Sequence, residues 1–132
     1  MSIESCGSPE AYRNPAGPWY PAGRNWEPHV RTERITKLMA VELQAPDAAA
    51  LATTWSQMLD VPVTRNPSGG AQLVFENASV RFVVAEDGRG TGVGAIDVKA
   101  ADRAAVLKAA AAKGLKRSDS QVLVCGVRIN LL

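Results

Sequence analysis

Glu42, Arg81, Asp97 and Arg128 stand in four short runs of alternating texture: Val41-Glu42-Leu43-Gln44, Val80-Arg81-Phe82-Val83, Ile96-Asp97-Val98-Lys99 and Val127-Arg128-Ile129-Asn130. If these are strands with Val41, Leu43, Phe82, Ile96, Val98 and Ile129 on one face, then Glu42, Gln44, Arg81, Asp97, Lys99, Arg128 and Asn130 share the other, beside Ala40, Ala95 and Val83. An arginine fork binds a carboxylate, phosphate or enolate oxygen through paired hydrogen bonds, and a nearby acid can serve as a base. The same four charges can instead neutralise one another as ion pairs filling the middle of a small sheet. The residue types leave both readings open.

Other groups read as bystanders. His29, the single histidine, lies in a proline-rich segment, where a lone imidazole suits a surface or packing role better than that of a general base. Cys6 lies in a polar start and Cys125 in an apolar run, so no disulfide is expected, and Cys125 reads as a small core or turn residue. Gly88-Arg89-Gly90-Thr91-Gly92-Val93-Gly94 has the glycine density of a phosphate loop. It leads into a strand rather than a helix and lacks Gly-Lys-Ser/Thr, so it reads as a linker, with Glu86 and Asp87 exposed.

The elements that must position the charges alternate from Ile35 onward. A strand over 35–44 is followed by a helix opened by Asp47 as N-cap, with Ala48, Leu51, Ala52, Trp55, Met58 and Leu59 as an apolar stripe that stops at Asp60-Val61-Pro62. Short strands over 61–64, 71–76 and 79–85 come next, the last two turning near Asn77-Ala78. The order then repeats. A strand over 92–99 precedes a helix capped by Asp102, with Val106, Leu107, Ala110 and Ala111 inward and a stop at Lys113-Gly114. Strands over 121–124 and 127–132 turn at Cys125-Gly126, after a further short strand over 115–118. Ala40 to Leu51 matches Ala95 to Val106 in its alanines, acid and capping aspartate, and 80–84 matches 127–131, which points to an internal duplication.

The chain has 132 residues, enough for one packed core, and its net charge of +2 is too small to favour a polyphosphate chain or an anionic membrane. Neither nucleic acid nor membrane is expected as a partner. No apolar run is long enough to span a bilayer and the start has no signal-peptide texture, so a cytoplasmic protein is expected. Residues 1–34 hold five of the eight prolines and four of the seven aromatics, which forbids regular structure and predicts an extended arm. Trp19, Tyr20 and Trp26 are too apolar to sit together in water, so the arm, with His29, should cover the sheet, the mouth of a cavity or a partner subunit. A homodimer in which the arm crosses between subunits is the favoured arrangement.

A repeated β-α-β-β-β unit carrying Val41-Glu42-Leu43-Gln44-Ala45-Pro46-Asp47, the helix with Trp55 and Met58-Leu59-Asp60-Val61-Pro62, and the strand Val80-Arg81-Phe82-Val83 resembles the vicinal oxygen chelate superfamily, the glyoxalase and bleomycin-resistance fold. The resemblance covers residues 35–132 and implies an α+β domain. Its two tandem units, 35–85 and 92–132 joined by a linker over 86–91, would form one concave mixed sheet. It also implies that the first and last strands of each unit are neighbours, which pairs Glu42 with Arg81 and Asp97 with Arg128. In metal-dependent members a histidine on each first strand and an acid on each last strand hold a divalent ion. Those positions correspond here to Ala40, Ala95, Val83 and Asn130, so neither a metal nor another cofactor is expected.

The resulting expectation is a metal-independent small-molecule-binding protein. Its ligand, of anionic type, would lie in the concave cleft among Glu42, Gln44, Arg81, Asp97, Lys99, Arg128 and Asn130. The alternatives are a superfamily enzyme of lyase, isomerase or dioxygenase type with a non-standard site, and a dimeric interaction module working through the arm. Sequestration of a cationic drug fits less well with a chain of this charge.

Overall fold

The computed structural model describes residues 27–132. Trp19, Tyr20 and Trp26 lie outside the described residues. His29 is exposed at the end of a short 3-10 turn, Glu27–His29. The body of the fold begins at Thr32.

Strand β1 (Ile35–Ala45) leads into helix α1 (Ala48–Leu59), where the Asp47 side chain accepts a hydrogen bond from the Ala50 amide at 2.9 Å, the N-cap the sequence predicts. Asp60 ends the helix in the left-handed region at φ 53, a conformation that aspartate tolerates better than most residues. Strands β2 (Thr64–Arg65), β3 (Ala71–Val74) and β4 (Ser79–Val84) complete the first half. The second half repeats the order one strand short of the expected β-α-β-β-β unit, with β5 (Gly92–Ala100), α2 (Arg103–Ala111, capped by Asp102), β6 (Gln121–Val124) and β7 (Val127–Leu131). The hairpin between β6 and β7 turns on Cys125 and Gly126, both at positive φ, as a two-residue turn of this hand requires.

All seven strands form one mixed sheet in the order β2-β3-β4-β1-β5-β7-β6. β1 runs parallel to β4 and β5 parallel to β7, while β1 and β5 meet antiparallel along the seam between the halves. Both helices lie on one face. Under α1, Leu43, Ala52, Leu73 and Phe82 are buried, with Trp55 set edge-on to Phe82 at 6.2 Å. Under α2 the core is smaller, made of Ala110, Val122 and Leu131 with Val106 and Leu107 packed against it. The opposite, helix-free face carries the charged side chains.

Several expectations are corrected in detail. The strand expected over 61–64 reduces to Thr64–Arg65, and that over 71–76 stops at Val74. The strand expected over 115–118 is a single bridge between Lys116 and Val122. Met58 and Ala111 turn outward rather than joining their helices' apolar faces. No helix among the described residues is long and apolar enough to cross a membrane.

Candidate functional site

The register across the sheet builds the site. One row of neighbours on the open face reads Gln72, Arg81, Glu42, Ala95, Arg128 and Leu123; the next reads Ser79, Ala40, Asp97, Asn130 and Gln121. Each row holds an alanine where a longer side chain would block passage, and the arginines use these gaps. Arg81 passes the Ala40 position to form two hydrogen bonds with Asp97, one through Nη2 to Oδ1 at 3.0 Å and the other between Nη1 and Oδ2. Its Nη2 also reaches Glu42 at 3.4 Å. Arg128 passes the Ala95 position and donates through Nη2 to Glu42 Oε1 at 2.5 Å. Ala40 and Ala95 are both buried although they face away from the helices, because these side chains lie over them.

This changes the expected pairing. Glu42 does meet Arg81, but Asp97 is held by Arg81 and Asn130, and Arg128 crosses the seam to Glu42. Strand register explains the exchange. Opposite Glu42 stands Arg81, whereas opposite Asp97 stands Asn130, so the sequence match between 80–84 and 127–131 is displaced by two residues in space. Gln121 donates to Asn130 at 2.8 Å and Asn130 donates to Asp97 at 2.7 Å. A continuous chain of hydrogen bonds therefore runs from Gln121 through Asn130, Asp97, Arg81 and Glu42 to Arg128. Lys99 shares the face but is exposed near the end of β5 and donates no side-chain bond to this chain among the described residues.

Exposure is graded along the network. The side chains of Asp97, Glu42, Arg81 and Arg128 are 9%, 15%, 22% and 35% accessible, so the network opens to solvent at Arg128. Burial would push the Asp97 carboxyl up, but hydrogen bonds from Arg81 and Asn130 outweigh that cost and hold it below the ordinary carboxylate value. The bond to Asp97 in turn raises Arg81.

Three contributors escape the alternation pattern. Gly94 is an extra residue in β5, since Glu42 pairs with Ala95 and Leu43 with Val93. A Cβ there would stand 2.7 Å from Gln44 Oε1 and 3.0 Å from Arg128 Nη2, so only glycine leaves the approach open. A glycine within a strand is the signal that could have marked it. Asp87, expected as an exposed linker residue, accepts hydrogen bonds from buried Gln44 at 2.6 Å and from Arg89 at 2.6 and 2.8 Å. The Arg89 side chain, followed by its backbone amide, holds the Asp87 carboxyl down to about 2. Gln44 is thus tied to the linker, not to the acid–arginine network. The third is Arg117, which lines a cleft of about 300 Å³ together with Asp87, Arg89, Gln121, Leu123, Gly126 and Arg128.

The positions that correspond to a family-type metal site do not fit one. Ala40, Ala95 and Val83 offer only hydrocarbon, and the Asn130 amide oxygen, its one possible ligand atom, already accepts from Gln121. The two carboxylates on this face, Glu42 and Asp97, are already bridged by the Arg81 guanidinium. Among the described residues no group of three or more His, Cys, Asp or Glu side chains comes together.

No protein-family model matches the chain, and no curated protein matches it. Solved structures do. Methylmalonyl-CoA epimerase from Mycobacterium tuberculosis aligns at a TM-score of 0.53 and 16% identity, over 77% of this chain and 90% of that one. A hypothetical protein from Staphylococcus aureus aligns at a TM-score of 0.51 and 13% identity, over 83% of this chain and 38% of that one. At such identities the likeness speaks for architecture alone, and it agrees with the strand order and paired halves described above: residues 35–132 have the glyoxalase-like α+β fold.

Proposed function

We propose that the protein binds a small anionic molecule, without a metal, in the cleft where Arg128 emerges from the ion network. One observation carries this reading. Arg81 gives three hydrogen bonds to Asp97 and Glu42, whereas Arg128 gives one, from Nη2 to Glu42, and lines the cleft. A guanidinium has five N–H donors in a planar fork, and those left over suit a carboxylate or phosphate oxygen.

Binding is better supported than proton-transfer chemistry. A general base needs an available lone pair and an affinity for protons near the working pH. Asp97 is held ionised by Arg81 and Asn130, which lowers its affinity for a substrate proton, and Glu42 already accepts from both arginines, one at each carboxylate oxygen. The absence of donor side chains at Ala40, Ala95 and Val83 supports independence from a metal.

A thermal-shift screen of small carboxylates and phosphates on chelator-treated full-length protein tests the proposal. A ligand that binds only the folded state raises its stability by about 2.7 kcal/mol at a hundredfold excess over Kd, which is readily visible in Tm. At least one anion should stabilise the protein, and Arg128→Ala should abolish that shift. No shift across a broad anion library, or a shift that requires an added divalent ion, would contradict the proposal.

A further inference from the structure

We infer that the cleft is built for a phosphate group, held between Arg89, Arg117 and Arg128. This rests on the preceding reading and names the ligand chemistry within it. The three arginines come from separate parts of the chain: Arg89 from the linker before β5, Arg117 from the loop after α2, and Arg128 from β7. They line one cleft that contains a single carboxylate, Asp87.

Asp87 is already used. It accepts from Arg89 Nε and Nη2, from the Arg89 backbone amide and from Gln44, so it offsets one guanidinium and offers nothing to the other two. Glu42 offsets Arg128 from beneath. Arg117 forms no side-chain hydrogen bond or ion pair among the described residues. Arg117 is thus the one cleft guanidinium with no offsetting acid among the described residues, and an anion in the cleft relieves that surplus.

The geometry favours three oxygens over two. A carboxylate is satisfied by a single fork, whereas three forks from separate parts of the chain line this cleft. Arg89 Nη1 has no hydrogen-bond partner among the described residues and lies against the Cys125-Gly126 turn, where a Cβ on Gly126 would stand 3.4 Å from it. Among the described residues Arg128 keeps Nε and Nη1 unbonded, and Arg117 keeps its whole fork. Glycine at position 126, at φ 80, leaves that wall without a side chain. The glycine-rich linker thus supplies Arg89 as a side-chain ligand, a different device from a phosphate loop at a helix N-terminus. A terminal phosphate of a small ester and inorganic phosphate present the same group.

Calorimetric titration of the full chain with glycerol 3-phosphate, inorganic phosphate and glycerate tests the assignment. Glycerol 3-phosphate should bind at least about tenfold more tightly than glycerate, and Arg117→Gln should weaken it about tenfold, the weight of one charge-assisted hydrogen bond. Arg117 is exposed, so this variant should keep the parent circular-dichroism spectrum. Tighter binding of the ester than of inorganic phosphate would mark a phosphorylated metabolite, and equal binding would mark the free ion; either supports a phosphate site. Glycerate binding as well as glycerol 3-phosphate, or unchanged phosphate affinity in Arg117→Gln, would overturn the phosphate assignment. If glycerate alone bound, and only with Arg128 intact, the phosphate assignment would fall while the anion cleft stood. If none of the probes bound in an Arg128-dependent way, both would fall.

Discussion

Replacing Arg81 with methionine keeps much of the side chain's bulk and removes the cation that bridges Asp97 and Glu42. Asp97 is then a nearly buried carboxylate with Asn130 as its remaining donor. Removing one partner of a buried pair costs about 3–5 kcal/mol. The lower end applies, because Arg81 is 22% accessible and Asn130 still contributes a bond. For a folded unit of this size a loss of about 3 kcal/mol lowers Tm by roughly 12–24 °C. The loss should also depend on pH. In the parent, Asp97 titrates below its unfolded value of about 3.9, so its contribution is present above that pH and fades as the pH falls through the folded value. In Arg81→Met the unpaired carboxyl should titrate above the unfolded value, so the variant should regain relative stability on acidification. Urea unfolding at neutral pH and near pH 4 reads both effects. A penalty below about 1 kcal/mol at neutral pH, or a gap between parent and variant that does not narrow toward acid, would refute a structural role for this bridge.

Further outcomes follow from other contacts. Gly94→Ala places a methyl against Gln44 and Arg128 and should cost about 1–3 kcal/mol in urea unfolding while weakening anion binding. Asp102→Ala removes the N-cap bond to Ala105 and should cost about 1 kcal/mol, in an α2 whose one buried residue is Ala110. Equilibration with manganese, nickel or zinc followed by dialysis should leave no stoichiometric metal by elemental analysis. Full-length protein should run as a homodimer in light scattering, and a chain beginning at Thr32 should run as a monomer; an unchanged mass would remove the arm from the interface.

Much of the fold was legible because its signals are local. Asp47 and Asp102 announce the helix starts, Cys125-Gly126 the last hairpin, and the alternation around Glu42 and Asp97 the face on which they lie. Partner choice was not legible. Neighbouring strands lie about 4.8 Å apart, so an arginine can reach its own neighbour or the next strand over, and periodicity does not say which. The displacement of β7 was hidden for a related reason: a slip of one residue flips the face, but a slip of two preserves it. Arg128 therefore keeps its expected face while meeting Glu42 rather than Asp97. Gln44 shows the converse. Its face was correctly read, yet its burial demanded a partner that came from the linker, where Asp87 carried no periodic signal.

An anion, and no metal ion, is proposed to bind this face through Arg128. A crystal structure of the full-length protein soaked with glycerol 3-phosphate tests it most directly. Phosphate density should appear in contact with Arg128 and Arg117, with Arg81 still bridging Asp97 and Glu42. Density for a metal ion between Glu42 and Asp97 with Arg81 displaced, or phosphate bound only away from Arg128, would contradict it.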